Sequence, residues 1–172
     1  MPKIEITHDT DEPEEIAAKS SSVPEINNAS DAASQTPPVK KAKAPIAERF
    51  DVDILLVDDD RFITVAYKEG FEHAGHLVVV AGDGVEALEV LKKTKPRLIV
   101  LDLIMPRMNG FELLQEIHLD NVLKDIPVLI LTNLNQQSDI DEAQSYGIVD
   151  FIIKADISLP DLVSKIDEII SK

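Results

Sequence analysis

Cysteine is absent from the 172 residues, so disulfides and cysteine-based metal sites are excluded, and a reducing compartment suits the chain. Aromatic residues are scarce, at 4%. No apolar run approaches the ~20 residues needed to cross a bilayer. The acidic opening, MPKIEITHDTDEPEE, lacks the apolar core of a signal peptide. Basic residues are outnumbered: 17 Lys and Arg against 32 Asp and Glu leave a formal charge of −15, which repels nucleic-acid phosphates and anionic membranes. The expectation is a cytoplasmic protein with no direct nucleic-acid contact and no membrane insertion. Aliphatic residues are what the chain has in quantity. Apolar residues make up 44% of it, enough for the core of one domain, with or without an appendage.

Two regions differ in texture. Residues 1–50 carry Pro2, Pro13, Pro24, Pro37, Pro38 and Pro45, no glycine, and no helical or strand period. Such a stretch buries too little apolar area to offset its chain entropy, so a disordered tail is expected there. Its KKAK, at 40–43, reads as solvated linker.

From Asp53 onward, short apolar runs alternate with helical patterns. DILLV (53–57), LVVVA (77–81), RLIVL (97–101), PVLILT (127–132) and DFIIK (150–154) read as strands. They are continuous rather than alternating, which predicts cover on both faces. In RFITVAYKEGFEHAG, residues Ile63, Ala66, Tyr67, Gly70, Phe71 and Ala74 follow the spacing of one buried helical stripe, and Gly75 stops the helix. GVEALEVLKK and GFELLQEIHL predict shorter helices, the second with Phe111, Leu114 and Ile117 on one face. SLPDLVSKIDEIISK opens on a Ser158 cap and turns Leu162, Ile166, Ile169 and Ile170 inward. QQSDIDEAQSYG offers only Ile140 and Ala143, and is expected to be the most mobile helix. Five strands alternating with five helices predict a parallel sheet wound on both sides, with its site beyond the carboxyl ends of the strands.

Those ends carry the chemistry. In LIVLDLIMPRMNG (98–110) a strongly apolar strand stops on Asp102. Strand one ends in Asp58, Asp59 and Asp60, of which Asp60 is placed to cap the next helix. Strand four ends in Thr132 and strand five in Lys154. Crowded carboxylates repel unless something positive joins them. Such hard oxygen ligands suit Mg²⁺, which takes one or two carboxylates and completes its shell with water and phosphate oxygens. Lys154 adds a compact cation and Thr132 a hydroxyl donor. No His, Cys or Ser stands at these ends, so neither a Ser-His-Asp triad nor a zinc site can be assembled. The parts instead match formation of an aspartyl phosphate, with Asp102 expected to be exposed and surrounded by positive charge. The residues alone do not choose metal ligands among the three adjacent aspartates. The four histidines (His8, His73, His76 and His118) match no ligand spacing and read as incidental.

With ILLVDDD, LIVLDLIMPRMNG, IPVLILT and DFIIK in this order and spacing, residues 53–172 resemble the receiver domain of two-component response regulators. The resemblance implies a flavodoxin-like, doubly wound parallel sheet of five strands in the order 2-1-3-4-5 with five helices. It implies a receiver domain over 51–172, to which the disordered tail expected over 1–50 is an atypical addition. Asp102 is then the phosphoacceptor, and Mg²⁺ lies on Asp58, Asp59, Asp102 and the backbone carbonyl of Ile104. Thr132 and Lys154 contact the phosphoryl group, and Phe151 holds the switch aromatic position, unless it is ordinary core packing. A histidine kinase or phosphotransfer protein is the implied donor.

Two positions depart from the family pattern: Asn133 follows Thr132 where a small residue is usual, and Ala155 follows Lys154 where proline is usual. A cis bond before Ala155 costs ~3 kcal/mol, so a trans peptide is expected.

The expected function is phosphoryl relay with output to a partner protein through the helix 4–strand 5–helix 5 face, since the chain stops near the end of its last helix. The chain is not expected to be an enzyme beyond its own phosphorylation and slow dephosphorylation, because aliphatic Ile104 and Leu134 hinder an attacking water. Three rivals fit less well. An aspartate-based phosphatase wants a second Asp where Ile104 stands. A flavin-nucleotide binder wants a phosphate loop where three aspartates stand. A receiver-like module that acts by binding alone would have lost a site residue, and none is missing.

Overall fold

Val52–Val57 (β1) is the first strand of the sheet, and the computed structural model describes the chain from there to its end, residues 52–172. The expected tail over 1–50 lies outside the described residues. The elements follow in strict alternation. Arg61–His73 (α1) leads to Val78–Ala81 (β2), Gly84–Leu91 (α2), Pro96–Leu101 (β3) and Gly110–Leu119 (α3). Val128–Thr132 (β4), Gln137–Ser145 (α4), Asp150–Ile153 (β5) and Leu159–Ile170 (α5) complete the fold. All strand pairs are parallel, in the order β2-β1-β3-β4-β5. This is the doubly wound sheet expected from the alternation of strand and helix signals.

Side-chain alternation divides the core into two layers. Leu55, Val57, Ile99, Leu101 and Ile130 pack with Ala87, Leu113, Leu114, Ile117 and Ala143, from α2, α3 and α4. On the other face Ile54, Leu56, Leu98, Val100, Leu129 and Leu131 pack with Phe71, Leu162 and Ile166, from α1 and α5. Each such aliphatic, fully buried, contributes ~1.5–3 kcal/mol. Cover on both faces holds for β1, β3 and β4, but the edge strands are only half-buried: Val80 in β2 is 37% exposed, and no residue of β5 is fully buried. Leu77 falls outside β2 and lies in solvent.

Local chemistry sets the helix starts. Asp60 accepts from Phe62 N–H and Ile63 N–H at 2.9 and 3.2 Å, capping α1 as expected. Asp83 caps α2. Asn109 and Glu112 form a reciprocal capping box on α3, and Ser158 caps α5. Gly75, at φ 98°, takes the left-handed turn that ends α1.

The α1 stripe is rotated from its expected phase. Ala66 and Ala74 are exposed, while Thr64 is buried, its hydroxyl satisfied by the Arg61 carbonyl at 3.2 Å. A helix beside a polar site can bury a threonine when its own backbone supplies the partner. α4 is the least anchored helix: its Gln136 cap makes no side-chain bond, and only Ala143 is fully buried.

Candidate functional site

The sheet register brings the strand ends together. Val57 pairs with both Ala81 and Leu101, Leu101 pairs with Ile130, and Thr132 pairs with Ile153. Asp58 and Asp102 each stand one residue past these paired ends, held by Asp58 N–H to the Ala81 carbonyl (3.1 Å) and Asp102 N–H to the Val57 carbonyl (2.9 Å). Strand order reverses here, between β1 and β3, where crevices form in wound sheets.

Lys154 joins them. Its Nζ lies 2.6 Å from Asp58 Oδ2 and 2.6 Å from Asp102 Oδ2, so one ammonium bridges the ends of β1 and β3. β5 ends at Ile153, and Lys154 opens a single 3-10 turn, Lys154–Asp156, rather than closing the strand as expected. The remaining carboxylate oxygens are also engaged: Asp58 Oδ1 accepts from Asp60 N–H at 3.0 Å, and Asp102 Oδ1 from Ile104 N–H at 3.2 Å.

Asp102 is not exposed as expected. It is 7% accessible and Asp58 3%, with the Lys154 Nζ against both; Asp59 is the exposed member. Burial pushes the Asp58 carboxyl above the ordinary carboxylate range, against hydrogen bonds from Lys154 and Asp60 N–H that pull it down. Burial lowers the Lys154 ammonium, but the hydrogen bonds to Asp102 and Asp58 outweigh it and the net direction is up.

Asp58, Asp59 and Asp102 offer carboxylate oxygens that all lie within 4.8 Å of one another. Three hard oxygen donors at this separation, one of them solvent-facing, fit a small divalent cation such as Mg²⁺. The main chain of Ile104 adjoins this cluster through its N–H bond to Asp102.

Thr132 and Phe151 sit on neighbouring strands, two residues apart in register. Asp58, Asp102 and Lys154 continue the alternation of Leu56, Val100 and Ile152, which face α1 and α5. Thr132 and Phe151 share the alternation of Ile130, and Phe151 packs against the α2–α3–α4 layer. Thr132 is fully buried, and its Oγ1 accepts from Leu134 N–H at 3.4 Å. Phe151 is half-buried and lines a groove of about 770 Å³ between α4, β5 and α5.

A second groove, about 620 Å³, opens beside Asp58 and Asp59 and is walled by Thr64, Asp83 and Arg107. Arg107, in a left-handed conformation at φ 63°, pairs with the buried Asp83 carboxylate and with Glu86 Oε1 at 2.8 Å. The Gly84 N–H bond to the Met108 carbonyl, 3.1 Å, makes a second tie between the β3–α3 loop and the start of α2. Asp83 had a sequence signal, an Asp-Gly pair opening a helix; Arg107 had none. His76, read as incidental, bonds through Nε2 to Asp167 on α5 at 2.8 Å.

Residues 54–167 match the response regulator receiver domain family. The chain belongs to that family. Among curated relatives, the receiver is 36% identical over 101 residues to a probable transcriptional regulator, ycf27, of Porphyridium aerugineum, covering 59% of this chain and 41% of that protein. It is 37% identical over 101 residues to the Regulator of RpoS of Escherichia coli K12, covering 59% of this chain and 29% of that protein. It is 34% identical to the Response regulator MprA of Mycobacterium leprae over 113 residues, covering 66% of this chain and 48% of that one. The chain thus spans less than half the length of these relatives.

Among solved structures, the receiver is similar to the signal receiver domain of a signal transduction histidine kinase from Syntrophus aciditrophicus. The TM-score is 0.64 at 31% identity, covering 70% of this chain and 90% of that one. The phosphorylated cyanobacterial phytochrome response regulator RcpA gives a TM-score of 0.60 at 31% identity, covering 69% and 90%. A receiver is a signalling domain of two-component systems. No helix among the described residues is long and apolar enough to cross a membrane.

Proposed function

We propose that this receiver accepts a phosphoryl group on Asp102 from a histidine kinase or phosphotransfer protein and passes the signal to a partner protein. The observation that carries the reading is the single ammonium of Lys154, 2.6 Å from both Asp58 and Asp102. It relieves the repulsion between two buried carboxylates while leaving one of them beside a charge suited to phosphate oxygens.

In the transfer, an Asp102 carboxylate oxygen forms the bond to phosphorus as the phosphorus–nitrogen bond of the donor phosphohistidine breaks. The electron pair returns to the imidazole. Lys154 turns a donor from the Asp102 carboxylate to a phosphoryl oxygen, and the Thr132 hydroxyl supplies another. Asp58, Asp59, Asp102 and the Ile104 carbonyl would hold Mg²⁺, which would supply neutralising charge for the phosphoryl oxygens. Once bonded to the phosphoryl group, Thr132 draws the Asn133–Asn135 loop inward. Phe151, on the same face of the neighbouring strand, follows. The bonded state gains only what its contacts differ by between the two arrangements, so α4, the least anchored helix, is the element that shifts.

Output passes through the α4–β5–α5 face, in a cytoplasmic setting, without direct nucleic-acid contact. Turnover is confined to the receiver's own phosphorylation and a slow loss of the phosphoryl group, hindered by Ile104 and Leu134. The test is intact-mass measurement after incubation with Mg²⁺ and a small phosphodonor. The wild type gains one phosphoryl mass that persists on removal of the donor, and Asp102→Asn gains none. No gain in the wild type sinks the reading.

A further inference from the structure

The groove between α4, β5 and α5 is apolar below and acidic around its edge. Ile140, Ile148, Phe151, Ile153 and Ile157 line it, beside Val149, which is 46% exposed. Asp150, Asp156 and Asp161 share the lining with one cation, Lys165, whose Nζ is spent on Asp150 at 2.6 Å. Asp141, outside the lining itself, is the exposed neighbour of Ile140 on α4 and accepts from the Gln137 amide at 2.8 Å. Among the described residues no cation lies in ion-pair range of Asp141, Asp156 or Asp161.

From this arrangement we infer that the groove receives a cationic amphipathic segment of a partner protein, with apolar side chains seated on the isoleucines and Lys or Arg facing the aspartates. The inference rests on the reading of this face as the output surface and names the chemistry of what docks there. A patch of exposed apolar surface rimmed by one sign of charge marks an interaction site, and the sign selects the partner. A second copy of this chain is the wrong occupant. A two-fold contact would press the acidic edges of two copies together, with Lys165 already committed to Asp150.

The floor is also tied to the phosphoacceptor side. Phe151 pairs in register with Ile130, two residues before Thr132, so a shift at Thr132 reaches the groove through adjacent backbone.

The experiment uses the full chain and two helical peptides of about four turns, one of Leu and Lys, one of Leu and Glu, in near-physiological salt. Binding is followed by titration and by amide chemical shifts. The expected result is saturable binding of the Lys peptide at least about tenfold tighter than the Glu peptide, with shifts centred on α4, β5 and α5. The paired reversal Asp141→Lys with Asp156→Lys weakens the Lys peptide by about tenfold or more. The same charge change on the opposite side, Glu89→Lys with Glu116→Lys, leaves it within about twofold.

Three results overturn the proposal: equal weakening by both pairs, shifts centred elsewhere, or no binding of the Lys peptide. Self-association of the chain through this face, read by sedimentation, overturns it in favour of a second copy. The phosphoryl mass gain is measured on the same samples. Peptide binding in the expected pattern with no mass gain removes the phosphoacceptor reading alone, and a mass gain without that pattern removes the docking inference alone.

Discussion

Lys154 Nζ and Asp102 Oδ2 meet at 2.6 Å, although 52 residues separate them in the chain. The pair is buried, with side-chain exposures of 6% and 9%, and Asp58 shares the same ammonium. Buried carboxylates held by one cation make that cation structural before it is functional.

Lys154→Met therefore tests the site as part of the fold. Removing one partner from a buried ion pair leaves uncompensated charge and costs on the order of 3 kcal/mol at pH 7, read as a shift in urea midpoint. Because the folded state raises the Lys154 ammonium, its contribution is complete below its ordinary value of 10.5 and is lost as pH rises through the folded value. The deficit of the variant should close in that alkaline range. A deficit unchanged there would mean that lost packing, not lost charge, is responsible.

Asp58→Asn should act in the opposite direction. Burial raises this carboxyl, so the folded chain holds its proton more tightly than the unfolded chain does, and ionised Asp58 costs metal-free stability at neutral pH. The amide variant is expected to melt above the wild type at pH 7 in the presence of a chelator. The gap should shrink as pH falls and vanish below the ordinary carboxylate value of 3.8. A gap independent of pH would refute the assignment to desolvation.

Asp59 is the exposed member of the carboxylate cluster, so Asp59→Asn should leave metal-free stability within about 0.5 kcal/mol. Magnesium binding to the folded wild type at a hundred times its dissociation constant adds about 2.7 kcal/mol. The variant is expected to lose most of that rise in melting midpoint. Equal magnesium shifts in the two proteins would exclude Asp59 as a ligand.

Arg107 offers a comparison of two substitutions. Both Arg107→Ala and Arg107→Gly remove the contacts to Asp83 and Glu86, but only glycine takes φ 63° without steric cost. The glycine variant should unfold a few degrees above the alanine variant in a thermal scan. The reverse order would show that this loop does not hold its left-handed turn in solution.

The sheet and most of the cluster were legible because they depend on local pattern. Continuous aliphatic runs marked the central strands, and the polar residue after each run marked where the strand gives way to the site. What escaped depended on side chains meeting across the fold. The depth of Asp102 could not be read from its position, since the cation it meets, Lys154, lies 52 residues along the chain. Arg107 sits in an ordinary loop, and only the folded chain sets it against Asp83. The phase of α1 slipped because Thr64 scores as polar, yet its hydroxyl is spent on the Arg61 carbonyl, leaving the side chain free to turn inward. Edge strands read as fully covered because a run of valines looks alike at the rim of a sheet and at its centre.

The alternation of side chains along β4 and β5 has a consequence for how a message travels. Phe151 packs with the α2–α3–α4 layer, whereas Leu129, Leu131 and Ile152 of the same two strands pack with α1 and α5. If the transfer proposed for Asp102 moves Thr132, the register of β4 with β5 offers a path through the sheet itself to the side of α4, with nothing carried around the rim.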